Sequence, residues 1–307
     1  MQRPHCRYVH SSSAGINSIF KENEMYSNDI FAFCYSHWAV KLLTLAVSWF
    51  FLSNTIAAQS DQLTNSGLIN IDNFIFIKGG CFQMGDILKE GKVDEQPVHR
   101  VCLNNFYLGK YEVSKMQWKK VMSQNPSKFR GNVHFPIDNV SWEDAQKFIT
   151  KLNRISKRKF RLPTEAEWEY ACRNRGQHVR FGNGKNILKP NEVNFNSVLQ
   201  FARNYTIIGQ SINKPLPVQY FAPNHLGLHH MSGNIFEWVA DSYDETYYRT
   251  SPLYNPLSRK KTPFHVLRGG SWYFGGLYAR CTNRHKYFKK LGSSSTGFRL
   301  VAIYQSD

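Results

Sequence analysis

Acidic residues are scarce in this 307-residue chain: 22 Asp and Glu stand against 39 Lys and Arg, a formal charge of +17. Such an excess suits an anionic partner, whether nucleic acid, a membrane surface or an acidic polymer. Cysteine is also sparse. Cys6, Cys34, Cys81, Cys102, Cys172 and Cys281 are too few and too scattered for a disulfide mini-protein. No two of them form a CxxC, which argues against a zinc ribbon or a thioredoxin-type site. The apolar run LLTLAVSWFFL at 42–52 is short of the ~20 residues of a membrane span. Internal repeats and low-complexity tracts are missing, and composition excludes collagen, a coiled coil and a polytopic membrane protein. What is present is core material, 42% apolar and 15% aromatic residues, enough for one large domain or two small ones.

The short apolar run has its own meaning. Lys41 precedes it, NTIAA at 54–58 supplies small residues, and the polar pair Gln59–Ser60 follows. This is the pattern of a secretory signal peptide, with an uncleaved anchor through residues 42–58 as the alternative. No lipoprotein cysteine follows the run, and residues 1–24, ahead of Met25, match neither a signal nor a domain. The expected organisation is an N-terminal extension and signal peptide at 1–58, a polar linker at 59–73 and one domain at 74–304. The leader carries four Lys and Arg against three Asp and Glu, so cleavage leaves 249 residues with charge +16 and four cysteines. An even number suits two disulfides in an oxidising compartment, periplasmic or extracellular. Export turns the expectation for the charge away from nucleic acid.

Within the domain, FIFIK at 74–78 predicts a strand, and residues 81–84 and 101–108 predict short strands around a polar loop at 86–97. Three helix starts carry capping signatures: Ser114 with Gln117, Ser141 with Asp144, and Thr164 with Glu167. After Ser141, the residues Trp142, Ala145, Phe148, Ile149 and Leu152 recur at helical spacing. Residues 174–217 are rich in Asn, Gly and Lys and predict long irregular loops. TGFRLVAI at 296–303 predicts a final strand. The fold class is α+β, loop-rich, in a single domain.

Several segments, in order, carry a family resemblance: FIKGGCFQMGD (76–86), EQPVHRVCLNNFYLGKYEVS (95–114), PIDNVSWEDAQKF (136–148), RLPTEAEWEYACR (161–173), GLHHMSGNIFEWVAD (227–241), LRGGSW (267–272) and GFRLV (297–301). Together they resemble the sulfatase-modifying-factor, or formylglycine-generating-enzyme, domain. The resemblance implies a C-type-lectin-like fold. It also implies several possible activities: copper-dependent oxidation of a sulfatase cysteine, iron-dependent sulfoxide synthesis, or binding without catalysis.

The oxidase branch needs two cysteines just after the GGS motif, five residues apart, because soft Cu(I) prefers paired thiolates. Here the first position falls on Phe274 and the second on Gly276 or Ala279, so copper is not expected. Ser271 occupies the family's active-site serine position. The resemblance implies that Cys281 pairs with Cys172, and Cys81 and Cys102, flanking the first loop, are the expected second bridge. The iron branch needs a helical domain with an H-x3-H-x-E triad, a pattern none of the 11 histidines forms. The family's calcium sites would map onto the carbonyls of Gly233 and Ile235 with the Glu237 carboxylate, and onto Asn194 with the carbonyl of Phe195. His230 stands where the first site usually has Asn or Asp, and Gln210 where the second has Asp.

Other clusters have plainer readings. His225, His229 and His230 suggest packing before metal binding, and Glu165, Glu167 and Glu169 suit a helix N-terminus before catalysis. Basic clusters at 151–161, 259–261 and 284–290 suit a solvated face or an anionic cell-envelope polymer. The expectation is an exported family member acting as a binding or scaffold module for a protein or glycan, with cysteine oxidation by altered chemistry as the alternative.

Overall fold

The computed structural model describes residues 69–303. The chain divides into units 1–61 and 62–307, and the description concerns the second. The expected leader and most of the expected linker lie outside the described residues.

The three capping signatures each start a helix: α1 (Lys115–Val121), α2 (Trp142–Ile155) and α3 (Glu165–Cys172). The Ser114 hydroxyl accepts from Gln117 N at 3.2 Å while the Gln117 side chain accepts from Ser114 N at 2.9 Å. Ser141 with Asp144 and Thr164 with Glu167 repeat this reciprocal pattern. Each box satisfies two backbone donors that a bare helix end leaves unpaired. α2 buries Ala145, Phe148, Ile149 and Leu152, the stripe its spacing predicts.

The described residues form ten short strands in chain order: β1 (Phe74–Ile77), β2 (Gly80–Met84), β3 (His99–Leu103), β4 (Phe106–Gly109), β5 (Lys159–Arg161), β6 (Phe236–Ser242), β7 (Phe264–Arg268), β8 (His285–Phe288), β9 (Thr296–Gly297) and β10 (Val301–Ile303). They form sheets ordered β1-β4-β10-β5, β2-β3 and β8-β7-β6-β9. The expected single strand at 296–303 is in fact two. Thr296 and Gly297 pair with β6, whereas Val301 pairs with Leu108 in another sheet. Between them Phe298 packs edge-on against Trp118 and Phe148, and Arg299 reaches Glu237. One strand could not serve both sheets while burying these side chains. β5 and β8 have no counterpart in the sequence reading, because their cationic residues masked an alternating pattern. In β5, Phe160 is buried between an exposed Lys159 and a half-buried Arg161.

One core gathers Trp168 and Tyr170 of α3 with Ile77, Leu108 and Val266. Another packs Phe148 and Leu152 of α2 against Trp238 and Phe298. A small third core, Phe181, Leu188, Val193, Phe195, Tyr205 and Ala279, holds the irregular 174–217 region in place. Residues 174–217 contain one short 3₁₀ turn, Leu199–Phe201, and are otherwise loop as expected. The Cys81–Cys102 disulfide joins register partners of β2 and β3, and Cys172–Cys281 ties the end of α3 to the segment after β7.

Candidate functional site

The chain reaches the expected active-site segment by a turn that only glycine allows. After β7, Gly269 and Gly270 adopt φ of +93° and +74°. A Cβ on Gly270 would sit 2.9 Å from the backbone of Ala279, so the turn needs both the left-handed backbone and the missing side chain. Ser271 follows, fully buried, its hydroxyl accepting from Tyr273 N at 3.4 Å.

The positions where the oxidase branch carries its thiolates are filled by packing. The Phe274 ring lies 5.2 Å from that of Phe236, 4.8 Å from Tyr278 and 5.8 Å from His285. Ala279 belongs to the small third core. A Cβ on Gly276 would collide with the Thr206 side chain at 2.3 Å. Cys281 is bonded to Cys172, so all four described cysteines are engaged.

The residues named for calcium do come together in part. Gly233 turns with φ of +78°, and a Cβ there would meet Asn194 O at 2.3 Å. Asn234 N donates to that same carbonyl at 2.8 Å. Its side chain joins three elements: the amide donates to Glu112 Oε1 at 2.9 Å, and its carbonyl accepts from Leu216 N at 2.8 Å and Asn194 Nδ2 at 3.2 Å. Asn194 Oδ1 is left buried without a partner. Glu237, however, is already engaged by a buried arginine. Arg299 grips both its oxygens at 2.6 and 2.7 Å, and Trp168 Nε1 donates to Oε2 at 2.8 Å. His230 directs Nε2 to Pro217 O at 3.1 Å, and burial holds its ring down at about 3. Calcium asks for six to eight oxygens. A carboxylate already saturated by a guanidinium does not fit as one of them. Among the described residues no three His, Cys, Asp or Glu side chains are grouped to hold a metal.

Glu112 is the member of this network that sequence reasoning missed. It is buried, its Oε2 has no partner, and burial followed by the negative charge of Glu237 pushes its carboxyl up to about 8. Nothing in KYEVS marks it.

The glutamates of α3 are structural, for a broader reason than the helix end. Glu167 closes the capping box and also forks onto Arg161. Glu165 receives Arg284 through both oxygens, at 2.8 and 2.9 Å, and Glu169 receives Arg173 and Arg268. Burial pushes Glu165 up, but the charges of Arg284 and Arg268 outweigh it and hold the carboxyl below its ordinary range. His229 sends Nδ1 to Phe221 O at 2.8 Å and lies on Tyr111, a packing role.

A surface of different character lies on the loops flanking Phe274. Leu199, Ile207, Ile208 and Tyr273 are exposed by 71, 49, 53 and 59%. Asn196 fastens the two loops, its N donating to Phe274 O and its Nδ2 to Tyr273 O, and Gly275 lies against Phe201. Exposed apolar side chains on loops held by a rigid frame are common material of recognition surfaces.

Comparison with known proteins gives this geometry a context. Residues 59–303 match the family model of the Sulfatase-modifying factor enzyme 1-like domain. Serine/threonine-protein kinase Pkn1 of Chlamydia trachomatis is 27% identical over 275 residues, 81% of this chain and 41% of the kinase, so the chain spans well under half of that relative. The formylglycine-generating enzyme of Bos taurus is 27% identical over 282 residues, covering 74% of this chain and 73% of the enzyme. Among solved structures, Treponema denticola variable protein 1 superimposes with a TM-score of 0.62 at 23% identity, over 74% of this chain and 94% of that one. That likeness is one of fold.

Proposed function

The chain belongs to the sulfatase-modifying factor enzyme 1-like family, and we propose that it is an exported member that binds a partner and does not oxidise cysteine. The observation that carries this reading is the filling of the thiolate positions. Phe274, Gly276 and Ala279 are packed into aromatic and aliphatic clusters. The nearest cysteine, Cys281, is held in a disulfide. Two thiolates facing one another, the arrangement soft Cu(I) prefers, cannot be made from this set. Two disulfides support an oxidising compartment, hence export. The partner, a protein or a glycan, is received on the apolar loop surface around Leu199, Ile208 and Tyr273.

The test is direct. Purified protein is incubated with Cu(I), oxygen and a sulfatase-type CxPxR peptide, and the product is probed with an aminooxy reagent for aldehyde. The expected result is no aldehyde, together with no alkylation of Cys81, Cys102, Cys172 or Cys281 in the folded protein. Turnover of the peptide would overturn the reading.

A further inference from the structure

A second surface is built quite differently from the apolar loops and shares no residue with them. Where the start of α2 meets β6, β7 and the 257–262 loop, an open groove of about 660 Å³ is formed, within the size range of ligand sites. The register of β7 on β8 sets its wall: His265 pairs with Tyr287, Phe264 pairs with Phe288, and Lys289 follows at the rim, its N donating to Pro263 O. The Trp142 indole closes one side, stacked on His265 with ring centroids 3.9 Å apart.

Three properties of this groove point to one kind of ligand. Its lining holds four cations, Arg259, Lys260, Lys261 and Lys289, and neither Asp nor Glu. Two neighbouring acids are already engaged: Asp244 takes Lys260 at 3.0 Å, and Asp241 accepts from Glu165 N and Ser258 N, while Glu143, next to Trp142, lies beside the groove with its N donating to Lys289 O at 3.2 Å. Arg259, Lys261 and Lys289 therefore present charge that the groove itself does not neutralise. Two lining side chains are also buried with a polar atom lacking a hydrogen-bond partner among the described residues. They are Ser258, 3% exposed, at its Oγ and His265, 6% exposed, at its Nδ1. Both atoms are closed to solvent, so a ligand hydroxyl that reached them would satisfy groups that water does not serve. Finally, burial and then the charge of Lys289 hold the His265 ring down at about 4. At neutral pH it is an uncharged imidazole suited to hydroxyl groups.

We propose that this groove binds an acidic oligosaccharide, a sugar chain bearing carboxylates or sulfates. Arg259, Lys261 and Lys289 take the acid groups, and Ser258 Oγ and His265 Nδ1 take ring hydroxyls. A site for bare anions would need the cations alone. The two neutral polar atoms beside an indole are what a sugar ring adds to the requirement.

The experiment titrates the full chain with a heparin octasaccharide as probe, alongside a polyglutamate of matched charge and anionic phospholipid vesicles. The octasaccharide should bind at least about tenfold more tightly than either alternative, and combined Arg259→Gln, Lys261→Gln and Lys289→Gln should weaken it by about tenfold or more. Ser258→Ala should weaken it several-fold. A control in the other basic cluster, Lys151→Gln with Arg154→Gln and Lys159→Gln, should leave affinity unchanged. The proposal is overturned if the groove variant binds like the parent, if the control loses as much, or if Ser258→Ala changes nothing. Polyglutamate or vesicles binding as tightly as the sugar would also overturn it.

Discussion

Arg299 and Lys289 carry the same charge ten residues apart and are handled in opposite ways. Arg299 is fully buried. Its fork is taken up by both oxygens of Glu237, and its remaining donors reach the carbonyls of Gly109 and His229. Lys289 sits at the rim of an open groove whose lining holds no carboxylate. Arg173, Arg268, Arg280 and Arg284 follow Arg299: each is at most 1% exposed and each meets a glutamate from another part of the chain or the preceding helical turn. The planar guanidinium can be buried because its five donors match carboxylate and carbonyl oxygens in fixed directions. The flexible, strongly hydrated ammonium is easier to leave outside. The formal charge of +17 therefore mixes two populations. Interior arginines are matched by acids and hold the fold, and the excess is carried on the surface, where a ligand can meet it.

This contrast can be broken at three levels. The largest effect should come from Glu237→Ala, which strands Arg299 and Trp168 Nε1 in a dry core. Breaking one side of a buried pair costs about 3–5 kcal/mol, measurable by urea denaturation. A loss under about 1 kcal/mol would mean that the interior pairs do not hold the fold.

A smaller effect concerns Glu112, whose ordinary value of 4.5 is raised to about 8. The folded protein then holds this proton more tightly than the unfolded chain, so stability falls as pH rises from about 4.5 to about 8. The slope from one such group is at most about 1.4 kcal/mol per pH unit. Glu112→Gln should flatten the decline between pH 5 and 8 relative to the parent, and superimposable profiles would show that Glu112 is not held neutral. His230, held down at about 3, acts with the opposite sign. The folded state resists its protonation, so that contribution is lost as pH falls from 6.5 toward 3, and comparison with the parent removes it.

The smallest expected change is in the stability of the groove variant. Combined Arg259→Gln, Lys261→Gln and Lys289→Gln should shift unfolding free energy by no more than about 0.5 kcal/mol, as surface substitutions do. A loss of about 2 kcal/mol or more would erase the distinction between structural arginines and ligand-facing cations.

Much of the fold was legible in the sequence where the signal is local. Ser114, Ser141 and Thr164 start helices because a hydroxyl and a partner three residues on close a ring within one turn. The four cysteines of the domain pair as expected. The site was legible mainly by what had been replaced: Phe274 at a thiolate position is readable without any structure. Glu112, Ser258 and His265 were not. Ser258 and His265 meet only because β6, β7 and the 257–262 loop close on the start of α2, and their unpartnered atoms are a property of that packing. The 296–303 segment fell between the two cases. Its apolar pattern was visible, but the crossing at Phe298–Leu300 depends on two sheets competing for one strand.

By itself the sequence determined the capped helices, because each is written in residue identity and short spacing, and its family resemblance implied the Cys172–Cys281 pairing, 109 residues apart, and the loss of the paired thiolates. Which glutamate takes which arginine, and which cations remain to meet a ligand, were decided only by the tertiary structure. Glu165 and Arg284 lie 119 residues apart, and Glu95 and Arg280 lie 185 apart. A charge has no preferred partner until burial removes the water that would otherwise serve it.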